Sequence, residues 1–348
     1  MFERGQVGPP RKHGGGGAIA LRADEVSRHA VRLVVIDASG ARAPYITAMA
    51  QLPSLLRAGD LVVVNDAATL PGSLRGTSAR GDFELRLSAP IDGTRIFGVL
   101  LGAGDYHTRT EDRPAPPLLA AGDNVTIVNI AARVVCATGR RVELAAAAPP
   151  DALWQAIYAA GAPVQYAHRP APLHLYDVQT AYAARPWAAE MPSAGRPLTW
   201  EVLLGLRRAG VELASLTHAA GLSSTGDTAL DRVLPWPERY EIPSRTIDAI
   251  AAARARGGRV IAIGTTVVRA LESAQPLVAG AGTATLRLDA AYRPRVVAGL
   301  VSGLHVPGES HFDLLAAFAP TDQLSRTMAL AAARGLSAHE LGDACLVL

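Results

Sequence analysis

The chain has 348 residues, 49% of them apolar and 19% charged, with a net charge of +3 and a pI near 9.1. That is enough for two or three domains with an ordinary globular core, and aromatics at only 5% mean the core must be built from Leu, Val, Ile and Ala. No stretch of about 18 uninterrupted apolar residues occurs and the first 17 residues lack the apolar centre of a secretory signal. Cys136 and Cys345 are too few for a disulfide framework and lack the spacing of a zinc site. The expectation is a cytoplasmic protein with no membrane span, no metal and reduced thiols. The arginine excess is spread along the chain, so charge alone does not specify a nucleic-acid partner.

In chain order, residues 1–17 carry Pro9, Pro10 and four consecutive glycines, a composition that predicts a mobile arm. From Leu33 the pattern LVVID predicts a strand, followed by a short amphipathic helix around Ile46 to Leu56 and a second strand over Leu61 to Val64, a βαβ-like opening. Between Gly72 and Leu144 the texture changes to six short strands separated by turn residues, which predicts a small closed barrel or sandwich. A helix follows over Asp151 to Gly161, then a proline-rich passage from Pro163 to Pro197 of the kind that forms a functional loop or a linker.

Helix and strand then alternate: Thr199 to Ala209 with VELASLT, and Ser244 to Arg256 with RVIAIG. Ser244 is the expected N-cap and Gly257 the expected C′ residue, with Ile247, Ile250 and Ala251 on one face. A helix beginning after Thr321 ends near Gly335, and Ser337 and Glu340 have capping-box spacing before the last strand, ACLVL.

Arg259 to Ile263 reads as a buried strand, Gly264 permits a tight turn, and Thr265 or Thr266 can cap the helix that follows. A strand, a glycine and a helix N-terminus present free backbone amides to an anion. Arg269 sits near the positive end of that helix, which is unfavourable unless something negative lies close by.

The string GGRVIAIGTTVVRALES, residues 257–273, resembles the GTTxVRxLE signature of the S-adenosylmethionine:tRNA ribosyltransferase-isomerase family. Further blocks follow in the family's order: GDLVVVNDAATLPGSLRG at 59–76, PVQYAHRP at 163–170, QTAYAARP at 179–186, PSAG at 192–195 and ERYEIP at 238–243. LHVP at 304–307, AAFA at 316–319 and SAHELGDA at 337–344 complete the series. The resemblance implies an α/β domain, residues 18–71 and 148–348, interrupted by a roughly six-stranded β-barrel over 72–147. It also implies transfer and isomerisation of the ribosyl part of S-adenosylmethionine onto the aminomethyl group of a 7-deazaguanine base in tRNA, with release of adenine and methionine. S-adenosylmethionine and tRNA are then the partners, and no metal or organic cofactor is required. The oligomeric state is left open.

Such a reaction needs a base beside the sulfonium, a donor for departing adenine and a cation for the methionine carboxylate. Arg269 suits the last role, with Thr265 and Thr266 as donors and Glu272, three residues on, either orienting Arg269 or forming an ordinary intrahelical ion pair. His305, held at an element end before Pro307, and Glu238, beside Pro235 and Pro237, are the candidate proton carriers; each also has a plain structural reading. Asp343 could accept a hydrogen bond from substrate or from a turn amide. Asn65 and Asp66 end a strand where open α/β sheets contact ligands, and are equally good turn residues. Arg169 is a candidate phosphate or carboxylate contact or a solvated arginine. Ser193 and Gly195 enter through the PSAG block.

Several positions depart from the family pattern. Pro197 stands in the histidine slot of PTAGLHF, Ala68 where a cation is expected, Trp236 and Pro237 ahead of the retained Glu238, and Gly303 in an asparagine slot, while His218 is displaced by one position. Losing several donors from a closed site at roughly 3 kcal/mol each would redirect or abolish the family reaction. The alternatives are a paralogue acting on a small-molecule acceptor and a catalytically silent RNA-binding paralogue, with His174 and His311 as residues that could restore what is lost.

Overall fold

The computed structural model describes residues 27–167, 169, 171–339 and 341–348. The arm expected over 1–17, the beginning of the α/β domain, and Glu340 of the expected capping box lie outside the described residues.

The chain opens with β1 (Arg32–Ile36), β2 (Tyr45–Ala48), the single-turn helix α1 (Leu52–Leu55), β3 (Leu61–Asn65) and β4 (Ala67–Thr69). The helix expected over Ile46 to Leu56 is therefore confined to its second half. The aromatic and β-branched run Tyr45, Ile46, Thr47 pairs antiparallel with β1 instead, and Pro53 marks the helix start. Nor do β1 and β3 form a βαβ pair, because three later strands separate them in the sheet.

Six strands then close a barrel: β5 (Ser73–Ser78), β6 (Gly81–Leu87), β7 (Arg95–Gly102), β8 (Asn124–Ile127), β9 (Ile130–Thr138) and β10 (Arg141–Ala146). All pair antiparallel, so closure leaves no free edge. Leu74, Phe83, Leu85, Val125 and Leu144 fill the barrel, joined by Leu153 and Ile157 of α2 (Pro150–Ala160), which packs against it. Gly76 is required there, since a Cβ would lie 2.3 Å from the Phe83 ring. Cys136 is exposed on β9 and Cys345 is buried on the last strand, both as free thiols.

The remainder completes the α/β domain: β11 (Arg185–Ala188), α3 (Trp200–Arg208), β12 (Glu212–His218), α4 (Thr228–Asp231), β13 (Glu238–Ile242), α5 (Ser244–Ala255), β14 (Val260–Ile263) and α6 (Thr265–Ser273). These are followed by β15 (Gly280–Ala284), β16 (Gly299–Gly303), α7 (Ser310–Leu315), α8 (Thr321–Ala333) and β17 (Ala344–Val347). The α5 N-cap is Pro243, with Ser244 already helical, and the buried face is Thr246, Ile250 and Ala253, so Ala251 faces outward. Gly257 does take the left-handed conformation expected after the helix, at φ +77°.

Nine strands form one sheet in the order β15-β13-β12-β3-β14-β16-β17-β1-β2. Its strands alternate between two cores, as period-2 geometry requires. Leu61, Val63, Val260, Ala262 and Leu300 face α5, α6 and α8, while Val62, Val64, Ile261, Ile263 and Val301 face α3.

A buried ionic cluster ties barrel to sheet domain. Glu84 accepts from Arg86 at 2.7 Å and from Arg113 at 2.8 Å. Arg86 bonds the Gln165 carbonyl and lies over the Tyr166 ring, whose hydroxyl donates to Glu190. Burial pushes the Glu84 carboxyl up, but the two guanidinium groups outweigh it and hold it below its ordinary 4.5. Glu84→Ala should therefore lower unfolding free energy at pH 7 by about 3–5 kcal/mol, because two buried arginines lose their counter-charge. Urea denaturation of the variant checks this; a loss under about 1 kcal/mol would show that the cluster does not need its carboxylate.

Candidate active site

Strands β12, β3, β14 and β16 are parallel, so their carboxyl ends lie together. Antiparallel β13 and β17 bring their amino ends to the same rim, and β15, antiparallel to β13, brings its carboxyl end: Glu238 at the start of β13 pairs with Ala284 at the end of β15, and Ala344 pairs with Gly303. A cavity of about 360 Å³ opens at this rim, where open α/β sheets place ligands.

Gly264, at φ +93°, is the N-cap of α6, so neither threonine caps the helix as expected; Thr265 is its first residue. Thr265 and Thr266 both line the cavity. Thr266 Oγ1 accepts from Asn65 Nδ2 at 3.4 Å. Asn65 itself is buried and clamps β12: its amide donates to the His218 carbonyl at 2.9 Å, and its oxygen accepts from the His218 amide at 2.9 Å. Asp66 accepts from Ser215 and Thr217. Neither residue is on the cavity wall, so both hold strand ends in place and are not ligand contacts in this conformation.

Arg269 does meet a negative group, but not Glu272. Its Nη1 donates to Glu238 Oε2, Nε to the Leu286 carbonyl at 3.2 Å, and Nη2 to the carbonyls of Trp236 and Ala284 at 3.3 and 3.1 Å. Burial, and secondly the charge of Arg287, bring its pKa down to about 10, so it stays protonated at neutral pH. With four of its five N–H groups engaged inside the protein, Arg269 acts as a strut and not as the open carboxylate receptor expected. Glu272 is turned away from the cavity: it accepts from the amides of Arg295, Val296 and Val297 and from the Tyr292 hydroxyl, all at 2.9–3.0 Å. Both readings of an Arg269–Glu272 pair are thus replaced by a cradle for the turn before β16.

Glu238 lies on the cavity wall, where it also accepts from the Gly221 amide. His218 Nε2 is 3.6 Å from Glu238 Oε2, yet neither of its ring nitrogens has a hydrogen-bond partner among the described residues. Burial first, and then Arg269, push its pKa down to about 3, so the ring is neutral.

His305 is on the wall as expected. Its Nε2 is 3.2 Å from Ser302 Oγ and its Nδ1 is 3.4 Å from Glu309 Oε2. The ring thus lies between a hydroxyl at Nε2 and a carboxylate near Nδ1. The His311 ring stacks on it at 4.8 Å, also lining the cavity, whereas His174 stacks on Tyr176 outside it. Gly303 lies beside the imidazole, where a Cβ would be in ordinary contact with Nε2 at 3.5 Å.

Ser193 lines the cavity; Gly195 lies behind it, where a Cβ would come within 2.1 Å of the Tyr182 hydroxyl. Asp343 is buried and accepts from the Arg32 amide and guanidinium and from the Ser337 amide, so its role is to lock β17, not to act as a proton carrier. Arg169 does not line the cavity; it lies within electrostatic reach of Arg196. Pro197 is buried, and strand pairing places Arg185 opposite Ala67, next to Ala68, with its guanidinium held by Glu241.

Sequence reasoning missed Glu190, Arg287, Asp289, Glu309 and Asp313, all on the cavity wall. The spacing of Glu309 four residues after His305 was the one local signal available. Among the described residues, no group of three His, Cys, Asp or Glu side chains is placed to hold a metal ion, and no helix is long and apolar enough to cross a membrane.

The chain matches, over residues 18–347, the family described as queuosine biosynthesis protein. It is 33% identical to the S-adenosylmethionine:tRNA ribosyltransferase-isomerase of Sorangium cellulosum, covering 94% of this chain and 95% of that one. It is 32% identical to the protein of the same name from Thermus thermophilus, over 92% and 93%. The crystal structure of an S-adenosylmethionine tRNA ribosyltransferase from Thermotoga maritima shares the fold, with a TM-score of 0.51 at 22% identity over 95% of this chain and 96% of that one. The chain belongs to the queuosine biosynthesis protein family.

His218 makes the acid stability of this site measurable. The unfolded chain takes up a proton near the ordinary value of 6.5, and the folded chain does not until about 3. The stability held by the neutral ring is therefore complete above pH 6.5 and declines as pH falls towards 3, by about 1.4 kcal/mol per unit. Between pH 6.5 and 5, His218→Phe should lose about 2 kcal/mol less than the unaltered chain in urea titrations. Parallel curves for the two proteins would mean that His218 is protonated in the fold.

Proposed function

We propose that this member of the queuosine biosynthesis protein family is an S-adenosylmethionine:tRNA ribosyltransferase-isomerase of the cytoplasm. It transfers and isomerises the ribosyl moiety of S-adenosylmethionine onto a 7-aminomethyl-7-deazaguanine base in tRNA, releasing adenine and methionine, with S-adenosylmethionine as co-substrate and no separate cofactor. The observation that carries the reading is the cavity at the strand ends, with His305 on its wall and five carboxylates around it, in a chain similar along more than nine-tenths of its length to relatives of that name.

S-adenosylmethionine brings a sulfonium and an ammonium against a single carboxylate. A cavity lined by Glu190, Glu238, Asp289, Glu309 and Asp313 favours such a cation. The sulfonium acidifies the adjacent C–H, and removing that proton needs a base at the wall. His305 is suited to this as the imidazole on the wall, with Ser302 Oγ at its Nε2 and the Glu309 carboxylate near its Nδ1. Thr265 and Thr266, with the free amides of the first α6 turn, supply donors for charge that develops as adenine leaves. Glu238 is committed to Arg269 and the Gly221 amide, and shapes the wall instead of carrying protons.

Incubation of the protein with S-adenosylmethionine and tRNA bearing the aminomethyl base, followed by mass analysis of RNA and small molecules, should give a heavier RNA together with adenine and methionine. An unchanged RNA mass would refute the reading, and product from a free nucleoside without RNA would replace tRNA by a small acceptor. His305→Ala should reduce kcat by about 10²- to 10⁴-fold while the fold is retained; turnover within a few-fold of the unaltered enzyme would remove His305 from the chemistry.

A further inference from the structure

A cavity crowded with carboxylates attracts the cationic end of S-adenosylmethionine but repels its α-carboxylate, so an uncommitted positive group is needed somewhere on the wall. Two arginines line the cavity. Arg269 is committed to Glu238 and to three backbone carbonyls. Arg287 is different: its side chain makes one hydrogen bond, from Nη2 to the Leu234 carbonyl at 2.8 Å, and no ion pair among the described residues. The Leu234 carbonyl belongs to another wall residue, so this single bond anchors the guanidinium at the rim while its other N–H groups stay available. The antiparallel pairing of β15 with β13 carries the chain past Ala284 towards that rim, and the charge of Arg287 is felt at Arg269 within the site.

We propose that Arg287 is the specificity residue that receives the α-carboxylate of S-adenosylmethionine, with Arg269 acting only as the strut behind Glu238. This rests on the proposed function above and adds the residue that distinguishes the amino-acid end of the co-substrate. The remaining guanidinium N–H groups can meet a carboxylate in the forked geometry for which arginine is suited and lysine is not.

The test is a ligand-deletion cycle by calorimetry on the full chain, with S-adenosylmethionine and its decarboxylated analogue as the probes. The unaltered protein should bind S-adenosylmethionine roughly 10- to 100-fold more tightly than the analogue, the range of a lost charge-assisted bond. Arg287→Ala should lose that preference and bind the analogue at least as tightly as S-adenosylmethionine, with Arg287→Lys between the two proteins. In turnover, KM for S-adenosylmethionine should rise in Arg287→Ala with kcat within about two-fold of the unaltered enzyme. Equal discrimination in Arg287→Ala and the unaltered protein overturns the proposal. So does a variant in which only the salt-dependent affinity for tRNA falls, since Arg287 would then face a phosphate. If the unaltered protein binds neither probe, the proposed function itself fails; if it turns over S-adenosylmethionine and Arg287→Ala keeps the discrimination, only the assignment of Arg287 fails.

Discussion

The contact between Glu238 and Arg269 is the constraint around which the site is organised. It joins the first residue of β13 to the first turns of α6, and Arg269's remaining bonds reach the carbonyls of Trp236, Ala284 and Leu286. One guanidinium therefore fixes the entry to β13, the exit from β15 and the helix after Gly264. Such a buried pair costs desolvation on both sides and adds little net stability, but removing one partner is severe because the other is stranded. Its value here is geometric. The carboxylate also draws in the Gly221 amide and so sets the turn after β12, next to a His218 that burial keeps neutral.

The same arrangement explains why the rim is assembled from segments so far apart in sequence. Parallel strands contribute their carboxyl ends, antiparallel strands their opposite ends, and the mixed order of the sheet places both kinds at one edge. The barrel reaches this edge through side chains: Arg113, Glu84, Arg86 and Tyr166 lead to Glu190, which accepts from the Ser223 amide at the cavity wall. A displacement of the barrel would thus be felt by a carboxylate lining the cavity, which gives the inserted domain a physical route to the site.

Much of the architecture was legible because it rests on local pattern. Turn residues every few positions predicted six barrel strands, and near-continuous apolar runs such as Leu61–Val64 predicted central strands buried on both faces. The turn at Gly264 followed from the same rules, whereas the interruption of one α/β domain by the barrel came from the family resemblance. Partners were not legible where the partner is remote. Glu272 is three residues from Arg269, and proximity along the helix suggested a pair, yet the carboxylate is used by backbone amides at 295–297. Three unpaired amides in a buried turn outcompete one guanidinium that already has Glu238. Asp343 likewise read as an acceptor for substrate or for a turn amide, because the sequence does not reveal that the Arg32 and Ser337 amides converge on it. The short helix expected at Ile46 failed for a related reason: β1 offered an edge, and pairing there overrode a weak helical period.

The substituted positions take on a consistent meaning once the cavity is in view. Pro197 is buried off the wall, and Gly303 lies beside the His305 ring without a side-chain donor to offer it. On the same wall stand His311, stacked on His305, and two residues that sequence reasoning had not placed there: Glu309 facing the His305 Nδ1, and Asp313 one turn further on. Polar capacity is thus concentrated on α7 and the loop before it. That concentration favours one chemistry over another. An imidazole flanked by a carboxylate can serve as a base towards the cavity, and surrounding carboxylates stabilise a sulfonium while disfavouring an anionic acceptor. An aminomethyl group, itself cationic before it acts as a nucleophile, is compatible with that field, and the proton it must lose has acceptors on the wall that the Glu238–Arg269 pair leaves uncommitted.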